Sequence, residues 1–253
     1  MRPFVPLWLG SVPYADAFAL QRDVHAARVA GDVDDTLILL EHPPTITHST
    51  TGRGSENVVA SAEQLAARGV VIEGTDRGGN VTFHGPGQLV GYPIVALGDG
   101  ERDLHRYLRN VEEVLIRSAR ALGVETARVK GRTGTWVDSP DHAEEKLAAI
   151  GVKCSRWTTL HGFAMNVTTD LSFFDLIVPC GIEDAGVVSL ERLMQRKGQA
   201  PPSLRGAVDA VVPAFADVFG RVASPPNDRL RMLCAARGAH VEPLSTGESS
   251  RAE

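Results

Sequence analysis

Four short segments of this 253-residue chain bring together residue types that do chemistry. The first is Arg77-Gly-Gly-Asn-Val-Thr-Phe-His-Gly-Pro-Gly-Gln88. Glycine permits positive φ and close backbone approach, so such a segment can wrap a ligand with its N–H groups. Arg77 can grip a carboxylate or phosphate through two parallel hydrogen bonds. It is no Walker loop, since no Gly-Lys-Ser/Thr follows, and Gly85-Pro-Gly87-Gln-Leu-Val-Gly91 misses the dinucleotide spacing by one residue. A plain glycine-rich turn between two strands is the alternative. In the second segment, Leu176-Ile-Val-Pro-Cys-Gly-Ile182, Cys180 lies between proline and glycine at the edge of an apolar run. A nucleophilic thiol has to be partly exposed, whereas a structural one packs inside, and spacing leaves both readings open. The third, Glu144-Glu-Lys-Leu-Ala-Ala-Ile-Gly-Val-Lys153, puts Lys146 at the head of a strand-like run. Burial there would lower its pKa and suit it to carry a proton; a solvated strand-end charge is the plainer reading. The fourth, Leu160-His-Gly-Phe-Ala-Met-Asn166, holds a His-Gly pair in which His161 reads more simply as a core residue than as a base. His84, His161 and Cys180 have no local zinc-ligand spacing, so no metal is expected.

The elements that must position these segments follow from periodicity. Residues 5–9 read as a first strand, 14–29 as a helix and 36–42 as a buried strand closed by Pro43-Pro44. Ser61 and Gln64 form a capping-box pattern that opens a short helix ending at Gly69. Strand signals recur at 70–72 and 89–97. Leu104, Leu108, Val111, Leu115, Ser118 and Leu122 mark the clearest helix, over 103–122, with Gly123 placed to end it. Strand-like pieces follow at 124–129, 133–137, 147–153 and 159–167, then helices at 189–197 and 204–219, the second opened by Ser203 with Pro213 as a kink or break. Helices mixed with hairpin-like strands predict an α+β or mixed α/β fold. Residues 1–223 are expected to form one catalytic domain, and 224–253 a partly disordered tail.

Composition excludes several function classes. With 43% hydrophobic and 23% charged residues, the chain is ordinary for a folded globular domain. The charge sum, 26 − 31 = −5, gives no case for nucleic-acid binding. No apolar run approaches a membrane span. Three cysteines, Cys154, Cys180 and Cys234, are too few for a disulfide scaffold and fit a reducing compartment, so a cytoplasmic protein is expected.

In this order, Arg77-Gly-Gly-x-x-Thr-Phe-His-Gly-Pro-Gly-Gln88, Lys146-x-Ala-Ala-Ile-Gly-Val152, His161-Gly-Phe-Ala-x-Asn166 and Pro179-Cys-Gly-Ile182 resemble the lipoyl(octanoyl) transferase family. The resemblance spans about residues 5–200. It implies a biotin/lipoyl protein ligase-like α+β domain: a mixed sheet flanked by helices, plus a smaller sheet. It also implies transfer of an octanoyl group from octanoyl-acyl carrier protein to a lysine of lipoyl domains, in 2-oxoacid dehydrogenases and the glycine cleavage H protein. Carried over by position, Cys180 would be the acyl-thioester nucleophile and Lys146 its pKa-tuning partner. Arg77, Gly78, Gly79, Asn80, Val81, Thr82, Phe83 and His84, with Ala149, Ile150, Gly151, Gly162, Phe163 and Ala164, would contact the acyl substrate. No cofactor is implied, because a thioester donor is already activated.

The chain departs from the family pattern at Thr45–Arg53, Thr135, Cys154 and Trp157, positions that bear on the pocket wall and partner docking. Gly78, Gly79 and Ala149 are expected to leave room for an apolar slot. Lys130, Arg132, Lys153 and Arg156 are candidates for a basic docking face. Two rivals remain at this point: an ATP-dependent lipoate or biotin ligase of the same fold, and a non-catalytic acyl-binding protein.

Overall fold

The computed structural model describes residues 1–50, 54–139, 144–178, 185–242 and 244. Within them the chain forms β1 (Arg2–Ser11), α1 (Tyr14–Ala30), β2 (Asp35–Glu41), β3 (Thr45–Ser49), α2 (Ala62–Ala67), β4 (Val71–Thr75), β5 (Val81–His84) and β6 (Gln88–Ile94). The second half adds α3 (Leu104–Ala121), β7 (Ala127–Val129), β8 (Arg132–Asp138), β9 (Glu144–Ser155), β10 (Thr158–Asn166), β11 (Gly186–Val187), α4 (Leu190–Arg196), α5 (Leu204–Phe219), β12 (Arg221–Ala223) and α6 (Asp228–Ala235). The main sheet has the order β12-β1-β2-β6-β10-β9-β8-β7, with β11 pairing β9; β4-β3-β5 form a smaller sheet. Strands β12, β1 and β2 run parallel, and from β2 to β7 each neighbour is antiparallel.

Both faces of the main sheet are covered, which is why its central strands read as unbroken apolar runs rather than alternating ones. Leu37, Leu39, Leu89, Phe163 and Met165 pack with α3 and α5 on one side. Ile38, Leu40, Val90, Tyr92 and Ile94 pack with α1 and α6 on the other. The small sheet keeps a core of its own around Ile46, Val81, Phe83 and Phe174.

Helix ends follow their chemistry. Asp103 caps α3 by accepting from the His105 and Arg106 N–H groups, and Gly123 follows in the left-handed region. The buried stripe of α3 runs through Tyr107, Val111, Leu115, Ser118 and Ala119, while Leu104, expected on it, is 41% exposed. Helix α5 continues through Pro213 without a break. The first part of the expected tail packs against the rest of the chain. Asn227 caps α6, Leu230 and Cys234 bury against the α1 side, Arg237 pairs with Asp23, and Glu242 bridges to Trp8. Residues 245–253 of that stretch lie outside the described residues.

One buried charge cluster ties β12, β2 and the β6–α3 connection together. Asp35, 1% exposed, accepts from Arg221 Nε at 2.9 Å, from Arg28 Nε at 2.7 Å and from the Ala96 N–H at 2.9 Å. Arg221 also reaches Glu101 at 3.1 Å. Removing one member of a buried pair strands its partner in low dielectric. Asp35→Ala is therefore expected to lose about 3 kcal/mol of stability, read as a lower urea midpoint at unchanged slope.

Candidate active site

A cavity of about 610 Å³ opens where the small sheet meets the main one. The β4–β5 loop, residues 76–80, is laid across β9: the Gly78 N–H donates to the Val152 carbonyl at 3.1 Å. A Cβ on Gly151 would stand 2.7 Å from the Gly78 carbonyl oxygen, so side chains are excluded at this crossing. Glycine here serves backbone-to-backbone contact, and Gly78 also lines the cavity.

Asp76 fastens the same crossing. Its carboxylate receives Lys153 Nζ at 2.6 Å and His161 Nε2 at 2.7 Å. Burial works to raise this carboxyl, but the Lys153 and His161 hydrogen bonds outweigh it and hold it below its ordinary value. His161 is buried in β10 with φ +58, a conformation seldom adopted by non-glycine residues. Its N–H is met by Gln21 Oε1 from α1 at 2.9 Å. Gln21, a polar interruption on an apolar helical stripe in the sequence, is thus the group that satisfies this irregular point of the sheet.

Most of the expected contacts converge on the cavity. Arg77, Gly78 and Gly79 come from the loop, Val81, Thr82 and His84 from β5, Ala149, Ile150 and Gly151 from β9, and Gly162, Phe163 and Ala164 from β10. Asn80 and Phe83 are outside its lining. Phe83 turns to the face of β5 opposite Thr82 and His84 and stacks on Phe173 at 4.6 Å, in the small sheet's core. Gly162 brings strands together as Gly151 does: a Cβ there would lie 2.1 Å from the Gly91 carbonyl.

Sequence reasoning missed Tyr14, Tyr92 and Leu108, which reach the cavity from α1, β6 and α3. Nothing local in their segments marks them. Gln88 and Asn166 also line it, and both belong to the glycine-rich and His-Gly segments.

Lys146 lies on β9, half-buried and lining the cavity. Its Nζ stands 4.6 Å from the centroid of the buried Trp136 ring on β8. Its carbonyl accepts from the Val188 N–H at 3.1 Å, and Val187 of β11 is its pairing partner. Cys180 lies outside the described residues; its flanks do not. Upstream, the Val178 N–H donates to the Asn57 carbonyl at 2.8 Å, and downstream, Gly186 pairs with Glu145. The two described cysteines are poor nucleophiles: burial pushes the Cys234 thiol up to about 11 and raises that of Cys154. Among the described residues, no group of three His, Cys, Asp or Glu is placed to hold a metal ion, and no helix is long and apolar enough to cross a membrane.

Of the residues expected to form a basic face, Lys153 is engaged with Asp76 and Arg132 pairs with Glu144 at 3.2 Å. Lys130 and Arg156 are exposed next to and within the β7–β8 and β9–β10 turns. The second turn has φ +51 and +56 at Arg156 and Trp157, the geometry of a two-residue hairpin turn.

A family model, the lipoyl protein ligase A/B catalytic domain, matches residues 13–216. The octanoyltransferase of Rubrobacter xylanophilus is 48% identical over 212 residues, covering 83% of this chain and 91% of the relative. That of Acidobacterium capsulatum is 51% identical over 226 residues, covering 85% and 88%. Among solved structures, lipoate-protein ligase A bound with ATP superposes with a TM-score of 0.72 at 18% identity, over 93% of this chain and 94% of that one. A bi-partite lipoate protein ligase from Thermoplasma acidophilum gives 0.71 at 15% identity, over 93% and 90%. At such identities the likeness concerns the fold alone.

Three buried histidines beside or behind the cavity are held neutral. Burial pushes His42 down to about 4, takes His84 well below its ordinary value, and lowers His161 despite Asp76. In the unfolded chain they take up protons below about pH 6.5. The unfolded state then binds more protons than the folded one, so stability falls as pH drops from 6.5 towards 4. His42 alone accounts for about 3 kcal/mol across that window. Urea midpoints are expected to fall between pH 7 and 4.5, and His42→Phe to flatten that slope.

Proposed function

The chain belongs to the lipoyl protein ligase A/B catalytic-domain family, and on that premise we propose that it is an octanoyltransferase acting in protein lipoylation. Octanoyl-acyl carrier protein is the donor, a lysine of a lipoyl domain is the acceptor, and Cys180 carries the acyl group between them. What most supports this reading is the position of Lys146. It lines an apolar-walled cavity and is paired with β11, the strand that the chain enters shortly after Pro179-Cys180-Gly181. The acceptors are lipoyl domains such as those of 2-oxoacid dehydrogenases and the glycine cleavage H protein, met in the cytoplasm.

The chemistry explains why a lysine belongs beside the thiol. An ordinary thiol, pKa about 8.5, is about 3% ionised at pH 7. Lowering its pKa raises the thiolate fraction but dulls its nucleophilicity, with a slope of about 0.4–0.5, so attack gains only a few-fold. The larger gain comes in the second half-reaction, where a low-pKa thiolate is the better leaving group. Lys146 takes the thiol proton as Cys180 attacks the donor thioester, and returns it to the departing thiol of the carrier. The acceptor lysine, pKa about 10.4, arrives protonated at neutral pH and gives one proton to the same amine. Its nitrogen attacks the Cys180 thioester and gives a second proton to the departing Cys180 thiolate, and Lys146 then releases its proton to water. Two displacements through one covalent intermediate give ping-pong kinetics.

The cavity suits the acyl tail. Its volume falls in the range of small-ligand sites, about 300–1,000 Å³. Six methylenes at about 0.8 kcal/mol each give about 5 kcal/mol when fully buried. Adding or removing one methylene changes the discrimination by about 1–3 kcal/mol, so chain-length preference is graded.

Incubation with octanoyl-acyl carrier protein, without ATP, is expected to add one octanoyl mass to the protein, on Cys180, and to pass it to a lipoyl domain. Turnover only with ATP and free acid would instead identify a ligase. Lys146→Ala is expected to lower kcat by about 10²–10⁴-fold. Full transfer by Cys180→Ser would sink the covalent route.

A further inference from the structure

His84 and His161 both line the cavity, yet only His161 contacts a carboxylate. His84 is buried at the end of β5, its ring stacked 6.0 Å from Tyr14 and 5.6 Å from the ring of His42. A chain of hydrogen bonds passes through it, from Arg77 at one end to the Val188 carbonyl at the other. Arginine can only donate, and Arg77 Nη2 reaches both the carbonyl and Oγ1 of Thr47 at 3.0 Å. The Thr47 hydroxyl therefore accepts from Arg77 and keeps both its own proton and a second lone pair for His84 Nε2, 3.4 Å away, so this end admits either polarity.

At the far end, the Val188 carbonyl can only accept. Asn166 Nδ2 donates to it at 3.1 Å, which turns Asn166 Oδ1 towards Gln88. Gln88 Nε2 donates to that oxygen at 2.9 Å and to the Phe83 carbonyl at 3.2 Å. Gln88 Oε1 is then left facing His84 Nδ1 at 2.8 Å, and a short contact to an amide oxygen requires hydrogen on that nitrogen. The Gln88 end thus places a proton on Nδ1, and with burial keeping the ring neutral, Nε2 carries the lone pair and takes the Thr47 proton.

The chain of bonds ends at the reacting lysine. Val188, whose carbonyl Asn166 holds, donates its own N–H to the Lys146 carbonyl. We propose that His84 is a positioning residue, held as the neutral Nδ1–H tautomer throughout the reaction, which fixes the backbone of Lys146 through Gln88, Asn166 and Val188 and carries no proton itself. The role in the reaction rests on octanoyl transfer being the activity of this site. The groups around the ring agree with a neutral state. Tyr14 faces it from α1, His42 with Tyr92 behind it from the β2–β6 side, Arg77 from the loop and His161 from β10. None of these is an anion at neutral pH; burial, His42 and Arg77 press the His84 pKa well down.

Histidine-ring ¹⁵N NMR of the unmodified protein tests this without substrate. The expected spectrum has a protonated Nδ1 and a bare Nε2 on His84, unchanged from pH 8 to pH 5. A titration midpoint within that range, or a proton on Nε2, overturns the proposal. This arm reads the resting protein, so its result is independent of whether octanoyl is the group transferred; the ATP-free acylation assay decides that separately. Kinetics supply the second arm. An asparagine amide can stand where Nδ1 stood and still donate to Gln88, whereas a glutamine amide reaches the Nε2 position and leaves Gln88 unpaired. Expected is a kcat for His84→Gln roughly ten-fold below that of His84→Asn, the effect of one buried partner left unsatisfied. Both variants should keep the wild-type limbs of the pH–rate profile. Equal losses, or a missing limb in both, would show that His84 handles a proton and overturn its positioning role.

Discussion

Two backbones meet without side chains between them where Gly78 crosses Gly151, and the cavity exists because of that contact. The small sheet has a core of its own and could sit against the main sheet in many ways. The Gly78–Val152 hydrogen bond and the absence of a Cβ at Gly151 select one of them. Asp76 then bridges the loop to two strands at once, through Lys153 on β9 and His161 on β10. A side chain at Gly151 would lift the loop, and with it Arg77 and the entry to β5. Close backbone approach also explains why glycine recurs in segments far apart in the chain: Gly78 lies against the Val152 backbone and Gly162 against that of Gly91.

The electrostatic layout follows from enclosing a cavity between two sheets. Deep within or behind it, His42, His84 and Tyr92 are buried and held neutral, with their polar atoms satisfied by protein groups: Val12 and Tyr92 for His42, Gln88 and Thr47 for His84. Neutral, internally satisfied walls demand nothing from an apolar guest, whereas an unpaired donor would have to be desolvated again on each binding event. The ionised groups lie elsewhere on the lining or beside it: Arg77 against Thr47, Asp76 with Lys153, and Lys146 over Trp136. Charge is thus kept to positions where part of its hydration survives.

What the sequence made legible was whatever is local. Asp103 and Gly123 bound α3, Ser61 with Gln64 opens α2, and Ser203 opens α5, because caps are read within one turn. The four chemistry-bearing segments could be singled out for the same reason, and residues of three of them do meet at one cavity. Illegible were contacts made across the chain. β3 and β5 pair with each other through residues with no clear alternation, inside stretches dominated by Thr and Gly, so of the small sheet only β4 gave a strand signal. Gln21 looked like a flaw in α1 until its partner, the left-handed His161, 140 residues away, was in place. The segment from 224 read as a tail because its composition is loop-like, yet Leu230 and Cys234 find an apolar groove beside α1 that no local pattern announces.

The rigidity needed for acid–base chemistry is unevenly distributed in such a layout. Lys146 sits on a strand paired on both sides, to Trp136 of β8 and Val187 of β11. Its neighbour Glu145 is buried and clamped by both terminal nitrogens of Arg196, at 2.7 and 3.0 Å. On the other side, Glu112 of α3 holds the Gly134 N–H at 3.2 Å while paired with Arg109 and Arg128, which pins the strand beneath the lysine stem. A group that must pick up and release protons at a fixed distance gains from such a frame, since strand-borne side chains are placed more accurately than loop-borne ones. The facing wall is instead built from the 76–80 loop and glycine-rich strands. On the proposed reading accuracy is concentrated at the lysine, where an ångström would change proton transfer, and relaxed along the slot, where it would change only a graded burial.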